Sequence, residues 1–163
     1  LKRVGELYTK SLGGLIVKFW NVYGIEKDMD KAHVITDFIR KGFETGVIDM
    51  MTDGTEAREF LYAEDCCEAL ETVMDEYDNL SCDDELHITT GVYTTVLEIA
   101  EEIKSLFFSI GKKITVIPDE KKDSVQRDAR NVPDPYIKEF WQPTTSVKEG
   151  LKKVFEEMKK DYE

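Results

Sequence analysis

Apolar positions along the chain switch between helical spacing and short continuous runs. Between Lys2 and Ser11, Val4, Leu7 and Tyr8, with Leu12 just beyond, can share one helical face. Gly13-Gly14 ends that pattern, and Leu15–Trp20, interrupted only by Lys18, reads as a buried strand. Asn21-Val-Tyr-Gly24 follows as a turn, and 25–31 is polar and loop-like. Val34, Ile35, Phe38, Ile39 and Phe43 then recur at helical spacing, which predicts an amphipathic helix over roughly 31–44, stopped by Gly46.

The same alternation continues. Val47–Met51 reads as a short strand, Asp53-Gly54 as a turn and Phe60–Ala63 as a short apolar stretch. Asp65 stands where a helix cap would, ahead of a helix lined by Cys66, Cys67, Ala69, Leu70, Val73, Met74 and Tyr77. An acidic linker leads to a strand at Leu86–Thr90. Thr95 with Glu98, and Ser146 with Glu149, have the spacing of capping boxes, in which the hydroxyl takes a backbone N–H and the carboxylate takes another. The helices they open carry Val96, Ile99, Ile103 and Phe107, and Leu151, Val154, Phe155 and Met158. Lys113–Ile117 is a further strand, 119–135 a charged loop punctuated by proline, and Pro135–Phe140 a short helical turn. Strands alternating with helices predict an α/β layer architecture.

Composition narrows the function. The 163 residues suit about one domain. Lys and Arg number 22 against 34 Asp and Glu, a net charge of −12 that repels nucleic-acid backbones and disfavours anionic membrane surfaces. At 41% hydrophobic and 10% aromatic, the chain has material for a core. No apolar run approaches the ~20 residues of a membrane span, and no charged-then-apolar leader opens the sequence. Three cysteines (Cys66, Cys67, Cys82) and two histidines (His33, His87), with no C-x-x-C, argue against a zinc site and suit reduced thiols in a cytoplasmic protein. Neither G-x-G-x-x-G nor a P-loop occurs, so this sequence contains no dinucleotide phosphate cradle of its own.

Five stretches, in order, resemble the extended short-chain dehydrogenase/reductase family, the NAD-dependent epimerases and dehydratases of nucleotide sugars. Lys2-Arg-Val-Gly-Glu6 looks like the helix that carries the Lys of a Tyr-x-x-x-Lys pair. The strand ending in Asn21-Val-Tyr-Gly24 resembles R-x-x-N-x-Y-G, with Lys18 where Arg is usual. The stretch from Asp53 to Asp65 resembles G-x-x-x-R-D-F-x-x-V-x-D. Leu86–Gly91 followed by Thr95 resembles Y-N-I-G-x-G…S, and Trp141–Gly150 resembles the L-G-W-x-P-x-x-S-x-x-E-G close from its Trp onward.

The resemblance implies an α/β fold: the C-terminal part of a Rossmann-type NAD(P)-binding fold plus the smaller substrate-binding domain, with the N-terminal dinucleotide-binding half absent. Rossmann elements would occupy about 1–24 and 86–110, interleaved with substrate-domain segments at about 25–85 and 111–163. It implies NAD as cofactor, with NADP the alternative, a nucleotide-diphosphate sugar as substrate, and a homodimer when intact. By resemblance Lys2 contacts the nicotinamide ribose and lowers the pKa of the catalytic Tyr, which would precede Leu1. Asn21 contacts the sugar nucleotide, and Arg58 grips the diphosphate with paired donors. Arg127 and Arg130 both stand where the family has a second phosphate-binding Arg, and His33 lies near the family's substrate loop. Two other readings share the fold: a non-catalytic nucleotide-sugar-binding or interaction domain, and a reductase or dehydrogenase on a non-nucleotide substrate.

Overall fold

The computed structural model describes residues 1–28, 32–124 and 132–163. In chain order the elements are α1 (Lys2–Ser11), β1 (Ile16–Phe19), β2 (Asn21–Tyr23), α2 (Val34–Thr45), β3 (Val47–Asp49), β4 (Ala57–Tyr62), α3 (Ala63–Asp75), β5 (Glu85–Ile88), β6 (Tyr93–Thr95), α4 (Val96–Ser109), β7 (Thr115–Ile117) and α5 (Val147–Lys159). Short 3-10 turns lie at Tyr77–Asn79, Tyr136–Glu139 and Lys160–Tyr162. β1 pairs with β5 and β3 with β7, both parallel, while β2, β4 and β6 form a third sheet in that order.

Three details depart from the sequence pattern. Asn21–Tyr23 is a strand rather than a turn: Trp20 still donates its N–H to Ile88, and the next three residues then pair in parallel with Phe60–Tyr62. β4 starts at Ala57, so Arg58 stands on a strand and not in a loop. Its extra length is paired by β6, antiparallel, with Arg58 opposite Thr94 and Glu59 opposite Tyr93. Asp65 is no cap; Tyr62 occupies that position. The Asp65 carboxylate lies in the first turn of α3, 1% exposed. It accepts the Thr145 N–H at 2.9 Å, the Thr145 hydroxyl at 2.8 Å and the Thr144 hydroxyl at 3.3 Å. It therefore ties α3 to the segment that leads into α5.

Both predicted capping boxes form, at Thr95–Glu98 and Ser146–Glu149. Helices α2, α4 and α5 bury their apolar faces in one core with Tyr23, Ile48, Phe60 and Tyr62. Two glycines let this core close: a Cβ on Gly42 would sit 2.2 Å from the Phe107 ring, and one on Gly150 2.0 Å from the Tyr23 hydroxyl oxygen. Tyr23 donates that hydroxyl to the Val147 carbonyl at 3.2 Å. A second core gathers Leu61, Cys66, Ala69, Val73, Leu86, Ile88, Ile137 and Trp141. Side chains of β4 thus alternate between the two, Phe60 and Tyr62 into the first and Leu61 into the second. No described helix is long and apolar enough to cross a membrane.

Candidate functional site

Asn21 opens β2 immediately beyond the C-terminal end of β1, and Arg58 is the second residue of β4. Pairing of β2 with β4 sets Asn21 opposite Phe60, two residues beyond Arg58, and the Asn21 amide reaches the Glu59 carbonyl at 3.5 Å. Trp20, Asn21 and Arg58 together line two cavities. The larger, about 1060 Å³, runs along β1 to Asn21 and Arg58 and is also bordered by Lys2, Glu59, His87 and Tyr93. The smaller, about 490 Å³, extends from Asn21 and Arg58 past Trp20, Met50 and Glu56 to His33. Ligand clefts in α/β sheets lie beyond the carboxyl ends of strands; the larger cavity runs alongside β1 and reaches that end at Trp20 and Asn21.

Four sequence candidates therefore meet here: Lys2 on the larger cavity, His33 on the smaller, Asn21 and Arg58 on both. Arg127 and Arg130 lie outside the described residues. Lys2 is exposed and makes no ion pair among the described residues. His33 is the N-cap residue of α2, its ring 77% exposed and paired with the Glu26 carboxylate. Its backbone N–H donates to the same carboxylate at 2.7 Å. Burial raises the Glu26 pKa, but the His33 ring and N–H outweigh it and hold the carboxyl below its usual range.

Around Arg58 the structure adds Asp123 to Glu56 and Glu59, the two carboxylates that flank the arginine in sequence. The Arg58 guanidinium, 31% exposed, donates from Nη2 to Asp123, whose side chain is 12% exposed. Glu59, 1% exposed, accepts the Thr89 hydroxyl at 2.6 Å and the Gly91 N–H at 2.7 Å, pinning the loop after β5 to β4. Its Oε1, and Oε2 of Glu56, are buried without a hydrogen-bond partner among the described residues. His87, which also lines the larger cavity, accepts the Asp134 N–H at Nδ1 (3.2 Å) and meets Glu85 with Nε2 (3.3 Å), which places its proton on Nε2. Glu56 and Glu59 were visible beforehand as acidic neighbours of Arg58 in sequence, whereas Asp123 and His87 carried no local sign. No cluster of three or more metal-ligating side chains occurs among the described residues.

Parallel strand pairs alternating with helices give an α/β fold of Rossmann type, with a cavity along β1 that Asn21 and Arg58 border. Comparison with known proteins narrows this. The NAD dependent epimerase/dehydratase family matches residues 2–88. GDP-L-fucose synthase of Sinorhizobium fredii is 27% identical over 93% of this chain and 49% of its own length. UDP-N-acetyl-alpha-D-glucosaminuronate decarboxylase of Bacillus cytotoxicus is 32% identical over 86% of this chain and 44% of its own. Among solved structures, UDP-glucose 4-epimerase of Thermotoga maritima, determined with UDP-glucose, superposes with a TM-score of 0.77 at 23% identity, covering 99% of this chain and 53% of that one. The chain belongs to the NAD dependent epimerase/dehydratase family. It spans about half the length of the curated relatives it matches.

Proposed function

We propose that this chain supplies the substrate-side part of an NAD-dependent epimerase or dehydratase acting on a nucleotide-diphosphate sugar. The observation that carries this reading is the joint placement of Asn21 and Arg58 on the rim of both cavities, with Lys2 on the larger. A planar guanidinium offers paired donors to phosphate oxygens, and an amide both donates to and accepts from sugar hydroxyls. The exposed Lys2 ammonium suits a hydroxyl-bearing group such as the nicotinamide ribose. NAD, when bound, would accept a hydride from a sugar carbon and return it; the groups on this chain bind and orient the substrate for that exchange. His33, already engaged by Glu26, lines the smaller cavity, where it would face the nucleotide.

Calorimetric titration with UDP-glucose and GDP-mannose tests the reading. A charge-assisted contact of roughly 1.5–3 kcal/mol at Arg58 predicts that Arg58→Ala raises the dissociation constant about ten- to a hundred-fold. Arg58→Lys should recover part of the loss, since a point charge lacks the paired donors. Unchanged affinity in Arg58→Ala would overturn it.

A further inference from the structure

We propose that Asp123 acts as a charge filter on Arg58, making the site select a diphosphate diester, the linkage of a nucleotide sugar, over a free nucleoside diphosphate. This rests on the proposed function, because it takes Arg58 to be the diphosphate group. Asp123 lies 65 residues from Arg58 in sequence, on the stretch after β7, yet its Oδ2 takes Nη2 of the guanidinium. Both side chains are mostly shielded from water, at 31% and 12% exposure, so the charges interact through a medium less screening than bulk solvent. Glu56 and Glu59 flank Arg58 in sequence, Glu59 bordering the larger cavity and Glu56 the smaller, each with one buried carboxylate oxygen that accepts no hydrogen bond from a described group.

A phosphate oxygen that reaches Arg58 comes within a few ångströms of the Asp123 carboxylate. Each further negative charge on the ligand is then opposed by like charge. A terminal phosphate ionises a second time near pH 6, whereas a sugar diester lacks that ionisation. Product-like nucleoside diphosphate therefore meets the larger penalty at neutral pH, and the nucleotide sugar the smaller.

Binding of UDP against UDP-glucose, and of GDP against GDP-mannose, is measured by titration calorimetry on the parent chain, Asp123→Asn and Asp123→Ala. Asparagine keeps an oxygen for the Arg58 donor and removes the charge. The expected result is tightening of UDP and GDP by about ten-fold in Asp123→Asn, and of the two sugars by about three-fold or less. Asp123→Ala should shift the ratio in the same direction, so the result does not depend on one variant folding well. In the parent chain, preference for the diester should shrink as the pH falls from about 7.5 to about 5.5 and the terminal phosphate gains its proton. An unchanged ratio in both variants, with binding still dependent on Arg58, overturns the filter alone. Binding indifferent to Arg58→Ala overturns the reading of the site and the filter with it.

Discussion

Helices α1 and α5 have equally regular apolar stripes in sequence and opposite fates in the structure. α5 buries Leu151, Val154, Phe155 and Met158 against α2, α4 and the β2–β4 sheet. α1 has no buried residue, and Val4, Leu7, Tyr8 and Leu12 stand exposed beside β1. Periodicity records which face of a helix is apolar; what covers that face depends on the rest of the fold. In α5 the cover is supplied by elements of this chain. On α1 the stripe faces away from every described core.

The largest effect should come from breaking the covered side. Phe155→Ala removes a ring packed against Phe43 and Phe107. It should cost about 3–5 kcal/mol in a urea titration. A loss below 1 kcal/mol would mean that the core around α5 is far looser than its burial indicates. Next comes Asp65→Ala, which strips three hydrogen bonds from the segment entering α5. A loss of roughly 2–3 kcal/mol is expected, with Asp65→Asn retaining part of it. Hydrogen exchange at the Thr145 amide should accelerate in both variants, and continued protection there would rule out the clamp.

A smaller change is expected at the start of α4. Thr95→Ala should lower stability by about 1 kcal/mol at neutral pH. The Glu98 carboxyl is held below its ordinary range by the Thr95 backbone N–H and then by the hydroxyl. A carboxyl lowered on folding stabilises fully above its unfolded pKa, and the contribution fades as pH falls through the folded value. The gap between parent and Glu98→Gln should therefore close below about pH 4. A gap constant from pH 3 to 7 would show that charge has no part in the cap. At the bottom of the series, Leu7→Ala on α1 should change stability by no more than about 0.5 kcal/mol. A cost approaching that of Phe155→Ala would erase the distinction between the two helices.

The helices were the legible part of the fold, because their caps and apolar stripes are local: Thr95 and Glu98 are three residues apart and both bonds formed. The misreadings involve partners distant in sequence. Asp65 has the residue type of a cap, and its true partners lie 79 and 80 residues onward. β2 and β6 are three residues each, too short for a period, and exist through pairing to β4. At the site, Asn21 and Arg58 were visible as motif positions, since residue type and local order carry a motif. Asp123 was not, because nothing near it in sequence foretells a contact with Arg58.

The alternation along β4 bears on how the molecule comes apart. Phe60 and Tyr62 point into one core and Leu61, between them, into the other. Pulling this strand from either cluster extracts it from both, so neither can melt first while the other persists as an intermediate. One sigmoid in denaturant, reported identically by Trp141 fluorescence in a Trp20→Phe background and by far-ultraviolet circular dichroism, is the signature of that shared wall.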